Sequence, residues 1–237
     1  MFIPIGDDNT RRLRTPFVVW ILVALNGFVW FLELQLGEHF IAAYAAIPFE
    51  ISTGVDLTST KYITMQGERI PIPQAPGPQP LYLTLLTSMF MHGSWMHIIG
   101  NMVYLLIFGD QIEDRLGHLR FLIFYLVAGL AAGLAQVIAT PMSVLPCVGA
   151  SGAIAGVLGA YLVLYPRNAV HVLLFRQVVL MPALIVLGFW GVLQVLGHLG
   201  NPSEGGGVAY MAHIGGFVVG LATGIALGLF GRRRRAW

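Results

Sequence analysis

Four side chains in this sequence have the types and spacings that acyl transfer requires. Ser151 stands in Gly149-Ala150-Ser151-Gly152-Ala153, where flanking glycines let a substrate or another stretch of backbone come close to the hydroxyl. His213 opens the run His213-Ile214-Gly215-Gly216-Phe217-Val218-Val219-Gly220. His97 and Asn101 are four residues apart, one turn along the same face of a helix. Together they offer a hydroxyl nucleophile, an imidazole base and two neutral hydrogen-bond donors. Each also has a plainer reading: small residues around a serine pack membrane helices, and a lone intramembrane histidine is often a hydrogen-bonded packing residue.

The acidic residues narrow the chemistry. Of eleven Asp and Glu, only Glu204 lies beyond Asp114, nine residues before His213 in the glycine-rich segment 200–207. A carboxylate fixed against the imidazole, as in a soluble triad, is therefore not expected, and the residues read as a Ser-His dyad. Glu33 is the only acid inside an expected span, which argues against the facing carboxylates of an aspartyl protease. His92 precedes His97 by five residues, about 140° around a helix, so the two do not make the metal-binding pair of a His-Glu-x-x-His run. The single cysteine, Cys147, excludes an internal disulfide and the usual zinc-thiolate site, and neither metal nor cofactor is expected.

These groups must be positioned by membrane helices. Hydrophobic residues make up 57% of the chain and charged residues 10%, with a mean hydropathy of +0.76, a balance that a water-soluble domain of 237 residues cannot cover with polar surface. Apolar runs at 17–36, 95–108, 121–139, 148–165, 178–196 and 208–229 predict an all-α polytopic membrane protein with six spans, the first of them retained rather than cleaved. Arg11, Arg12 and Arg14, Arg115 and Arg120, Arg167 and Arg176, and the run 232–235 fall on one side, and only Lys61 and Arg69 on the other; both termini are expected to be cytoplasmic. The expected organisation is a short segment at 1–16, a six-helix domain at 17–230 with an outside loop at 37–80, and a basic tail at 231–237 that reads as a stop signal rather than a nucleic-acid or lipid site. No internal repeat is evident, which weakens an inverted-repeat transporter reading. Gly216 and Gly220 on the sixth span, and Gly152, Gly156 and Ala160 on the fourth, present small-residue faces whose contact would bring His213 near Ser151.

The segments His92-Gly-Ser-Trp-Met-His97-Ile-Ile-Gly-Asn101, Phe108-Gly-Asp-Gln-Ile-Glu-Asp-Arg-Leu-Gly117, Gly149-Ala-Ser-Gly-Ala153 and Ala212-His213-Ile-Gly-Gly216, in this order and spacing, resemble the rhomboid family of intramembrane serine proteases across spans two to six. The resemblance implies that Ser151 attacks a scissile carbonyl, that His213 moves the proton, and that His97, Asn101 and the Ser151 N–H form the oxyanion hole. It also implies a cavity open to the non-cytoplasmic side and single-span transmembrane proteins as substrates, cut near the outer end of their helix at small residues. Two positions depart from the family pattern. A Trp-Arg pair common in the first outside loop falls on Leu83 and Thr84, and an aromatic residue four after the serine, which packs on the imidazole, falls on Ala155; Tyr210 is a candidate substitute. His198 is a rival base, read more simply as a loop histidine. The loop 37–80 is expected to tune access without supplying catalytic groups. The alternatives are a non-catalytic rhomboid-like binder of transmembrane segments and a small channel or transporter.

Overall fold

In a chain this apolar, backbone hydrogen bonds must be closed within each element, and helices do this best. A computed structural model describes residues 2–10, 12–65, 67–200 and 208–230; Arg11, residues 201–207 with Glu204 and residues 231–237 with the arginine run 232–235 lie outside the described residues. The chain begins with β1 (Phe2–Asp7) and the long helix α1 (Phe17–Tyr44), which breaks at Gly37, where φ is 70°. The following loop holds α2 (Pro48–Thr53) and a hairpin of β2 (Lys61–Met65) and β3 (Glu68–Ile72). Short turns around α3 (Thr84–Thr87) lead to α4 (Trp95–Leu116), α5 (His118–Ala139) and α6 (Ser151–Leu164). A second hairpin, β4 (Ala169–Leu174) and β5 (Gln177–Pro182), precedes α7 (Ala183–Gly200) and α8 (Tyr210–Phe230).

The protein is thus a mainly helical, multi-pass membrane protein. Among the described residues, four helices, α1, α5, α7 and α8, are long and apolar enough to cross a bilayer, and two shorter apolar helices lie at Leu81–Phe90 and Ser151–Leu164. The expectation of an all-α chain needs correction, because among the described residues five strands form two antiparallel sheets, β2-β3 and β1-β4-β5. Valines at 170, 172, 178 and 179 favour extended backbone, and Phe175, with φ 55°, turns β4 into β5. The apolar run at 178–196 is consequently strand as far as Pro182 and helix only from Ala183.

A second correction concerns the run at 95–108. Its helix continues to Leu116 and so carries Asp110, Glu113 and Asp114, all buried. The chain before and at the start of α1 satisfies them. The Glu113 carboxylate accepts the Val18 and Val19 N–H groups at 2.9 and 2.8 Å, closing two donors that the first turn of α1 leaves open. Asp114 accepts the N–H groups of Leu13 and Arg14, and Arg12 pairs with Asp110 at 2.6 Å.

At the centre stands α6, whose residues from Gly152 to Tyr161 are all buried. Its partner is α8. A β-carbon at Gly216 would collide with the Gly152 carbonyl, and one at Gly220 with the Gly156 carbonyl, so the two backbones touch along this line. On its other side, β-carbons at Gly152 and Gly156 would come within 2.6 Å of Ala132 and Ala128 of α5.

Candidate active site

Ser151 is the first residue of α6, and no side chain caps that helix, so the N–H groups of its first turn have no helical acceptor. The strand leading into it is held from two sides. Ala46 and Cys147 exchange backbone hydrogen bonds of 3.1 and 2.8 Å, and the Gly149 N–H donates to the Ser88 carbonyl at 2.9 Å. Gly149 itself has φ 131°, a conformation glycine adopts readily. The connection between α1 and α4 therefore grips the residues just before the serine; Phe49 N–H and Gln74 Nε2 bond the carbonyls of Ser143 and Val144 in the same stretch.

His213 lies in the first turn of α8, and the contact of α8 with α6 brings its Nε2 to 2.8 Å from Ser151 Oγ. Its Nδ1 is 2.7 Å from Gln194 Oε1 on α7, and the Gln194 Nε2–H donates to the Trp190 carbonyl one turn earlier, at 3.2 Å. The Trp190 ring lies 5.8 Å from the imidazole, inclined by 37°. Gln136 of α5 accepts the Ala212 N–H at 3.2 Å, fixing α8 one residue before the histidine.

α4 supplies the opposite wall. Ser94 caps this helix by accepting the His97 N–H at 3.2 Å, which places His97 in its first turn. The Gly93 N–H donates to His97 Nδ1 at 3.4 Å, which leaves Nε2, on the edge that faces Gly149, to carry the ring proton. Asn101 is buried, and its Nδ2 has no hydrogen-bond partner among the described residues. Ser151, His213, His97, Asn101 and Trp190 line one cavity of about 710 Å³. Ser151 also borders a smaller cavity of about 50 Å³, lined in addition by Ser88, Met89, Ala132 and Gln136.

The rhomboid domain matches residues 80–230, from the turns before α4 to the end of α8. The chain belongs to the rhomboid family. It is 32% identical over 157 residues to rhomboid protease GluP of Bacillus subtilis, covering 63% of this chain and 28% of GluP. It is 28% identical over 150 residues to RHOMBOID-like protein 6, mitochondrial, of Arabidopsis thaliana, covering 60% of this chain and 43% of that protein. YdcA of Bacillus subtilis is 30% identical over 162 residues, 68% of this chain and 69% of YdcA. This rhomboid thus spans less than half the length of GluP and of the Arabidopsis protein.

The positions where this rhomboid departs from the family pattern have local explanations. Ala155 is fully buried and faces Gly216, where an aromatic ring would force α6 and α8 apart. The ring beside His213 comes instead from Trp190, whereas Tyr210 packs against Gly197 of α7. Thr84 is buried and bonds the Leu81 carbonyl at 2.6 Å. Glu33 accepts the His92 N–H at 3.0 and 3.1 Å, and the His92 ring meets His97 edge-on at 5.1 Å. Gln194, Trp190 and Gln136 escaped the sequence reading, which looked for carboxylates and histidines. A glutamine inside an apolar helix was the available signal.

Proposed function

We propose that this rhomboid is an intramembrane serine endopeptidase acting through a Ser151-His213 dyad. The observation that carries this is the 2.8 Å separation of His213 Nε2 from Ser151 Oγ at the edge of a cavity. In the proposed reaction His213 takes the hydroxyl proton as Oγ attacks the scissile carbonyl, then returns it to the leaving amine; a water molecule afterwards attacks the acyl-serine with His213 again as base. The developing oxyanion is met by the Ser151 N–H at the start of α6, by His97 Nε2–H and by Asn101 Nδ2–H.

The substrates proposed are single-span transmembrane proteins, cut where the helix unwinds, because a helical peptide bond is shielded by its own hydrogen bonds. The 50 Å³ cavity beside the serine suits a small side chain at the cleaved position. For the whole chain the reading is six spans, with α4 and α6 joining the four long helices, both termini on the cytoplasmic side of a cell membrane, and the cavity facing the other side. The distribution of arginines supports that orientation.

The test is cleavage of a panel of single-span proteins in proteoliposomes by the wild type, Ser151→Ala and His213→Ala, with the folding of each verified. Cleavage by the wild type alone is expected. A Ser151→Ala variant that cuts as well as wild type refutes the mechanism, and a wild type inactive on every substrate favours a transmembrane-segment binder or a transport protein.

A further inference from the structure

We propose that Gln194 is the positioning residue for His213, a neutral counterpart of the carboxylate that orients histidine in soluble serine hydrolases; the proposal rests on the dyad reading above. A dyad histidine has a tautomer problem. It can accept the serine proton only if Nε2 carries the lone pair, which requires the ring proton to be on Nδ1. In water the two tautomers exchange freely, and the wrong one leaves the serine facing an N–H.

The hydrogen bonds around Gln194 select one answer. An amide can present either its oxygen or its nitrogen to a partner, and the choice is set by what the other end bonds. Gln194 Nε2 donates to the Trp190 carbonyl at 3.2 Å, an acceptor that cannot bond the amide oxygen. Oε1 is thereby turned to His213, 2.7 Å from Nδ1. A carbonyl oxygen accepts only, so Nδ1 bears the proton and Nε2 offers its lone pair to Ser151 Oγ at 2.8 Å. The backbone carbonyl of Trp190 thus sets the amide, the amide sets the imidazole, and the imidazole is set for the serine.

The same α7 turn restrains the ring from its side. Trp190 lies beside the imidazole and also packs on Phe217, one turn after His213 on α8, with ring centroids 5.7 Å apart. A glutamine achieves this orientation without burying a charge among apolar helices, where an ionised carboxylate is costly. When His213 becomes an imidazolium during the reaction, the Oε1 dipole stabilises it, although less than a full negative charge would.

The test combines labelling kinetics with spectroscopy. The full chain in detergent is treated with a fluorophosphonate, and the limiting rate and half-saturation concentration for Ser151 are measured in the wild type, Gln194→Met and Gln194→Glu. In parallel, 15N-histidine spectra report the tautomer of His213, assigned by its absence in His213→Ala. Methionine fills the space of glutamine without an acceptor oxygen; glutamate restores one. The expected result is a limiting rate about tenfold or more lower in Gln194→Met, an unchanged half-saturation concentration, loss of the pure Nδ1–H tautomer, and recovery of most of the rate in Gln194→Glu. A Gln194→Met protein that labels at the wild-type rate overturns the proposal, as does one that loses rate with its tautomer unchanged. An Nε2–H tautomer in the wild type overturns it without recourse to any variant. If the wild type is not labelled at Ser151 yet shows a Gln194-dependent Nδ1–H tautomer, the protease reading fails while the positioning role stands.

Discussion

A β-carbon at Gly149 would stand 2.8 Å from both Cε1 and Nε2 of His97, so the backbone leading into Ser151 lies directly against the His97 ring. The same carbon would be 3.4 Å from Ser151 Oγ. Gly149→Ala therefore places a methyl group between the nucleophile and a proposed oxyanion donor, in a backbone conformation with φ 131° that alanine resists. Cleavage is expected to fall by about a hundredfold or more, the scale of losing one oxyanion donor, and circular dichroism should still report a folded helical protein. Wild-type turnover in this variant would mean that the oxyanion is stabilised elsewhere.

His97→Ala and Asn101→Ala are each expected to lower turnover by about 10²–10³ with little change in KM, because in the proposed mechanism both donors serve the oxyanion rather than the ground-state carbonyl. The double variant should lose less than the product of the two, since the Ser151 N–H remains. Steady-state kinetics on one substrate decides this; a rise in KM at constant kcat would place these side chains in substrate binding instead.

Gly220→Val probes the packing that delivers His213. The added carbon atoms meet the Gly156 carbonyl, backbone that cannot swing aside, so α6 and α8 must separate. A loss of about 1–3 kcal/mol in stability is expected, together with loss of cleavage. Thermal unfolding in detergent measures it, and Gly228→Val, at a glycine of α8 with nothing within 4 Å of its would-be β-carbon, is the control.

Asp7, outside the membrane helices, gives a pH dependence. Burial raises its pKa from 3.8 to about 6, against the opposing effect of the Tyr161 hydroxyl, which donates to it at 2.6 Å. A folded-state pKa above the unfolded one means that the folded protein holds the proton more tightly. This contribution to stability is complete below about pH 3.8 and is lost as the pH rises through about 6. Asp7→Asn, which keeps an acceptor for Tyr161 but never ionises, should therefore gain in Tm relative to wild type between pH 4 and pH 6 and hold that gain above. A constant Tm difference across the range would remove Asp7 as its source.

What the sequence revealed, and what it hid, follows from the range of each interaction. Apolar runs and glycine faces are local patterns, so the helices and the meeting of α6 with α8 could be read from residues such as Gly152 and Gly216. The end of α4 could not be read, because Asp110, Glu113 and Asp114 look like a helix exit until the N–H groups of Leu13, Arg14, Val18 and Val19, about 100 residues away in sequence, are found to be their partners. β1 was hidden for the same reason: its partner β4 lies at Ala169–Leu174. Gln194 was passed over because a search for charged partners of histidine overlooks an amide that does the same geometric work without a charge.

The 14 residues of α6 give the helix a length of about 21 Å, against roughly 30 Å for the hydrocarbon layer. On the proposed protease reading, helix length therefore sets the depth of cleavage. If the Leu164 end is held at one interface, the serine lies about 9 Å short of the opposite one, and inserting one further turn would lift it towards the headgroups by about 5 Å. A bilayer of different thickness changes that distance without touching a single catalytic atom. On that reading, the bond selected in a given transmembrane segment is a joint property of the protein and of the lipid in which it sits.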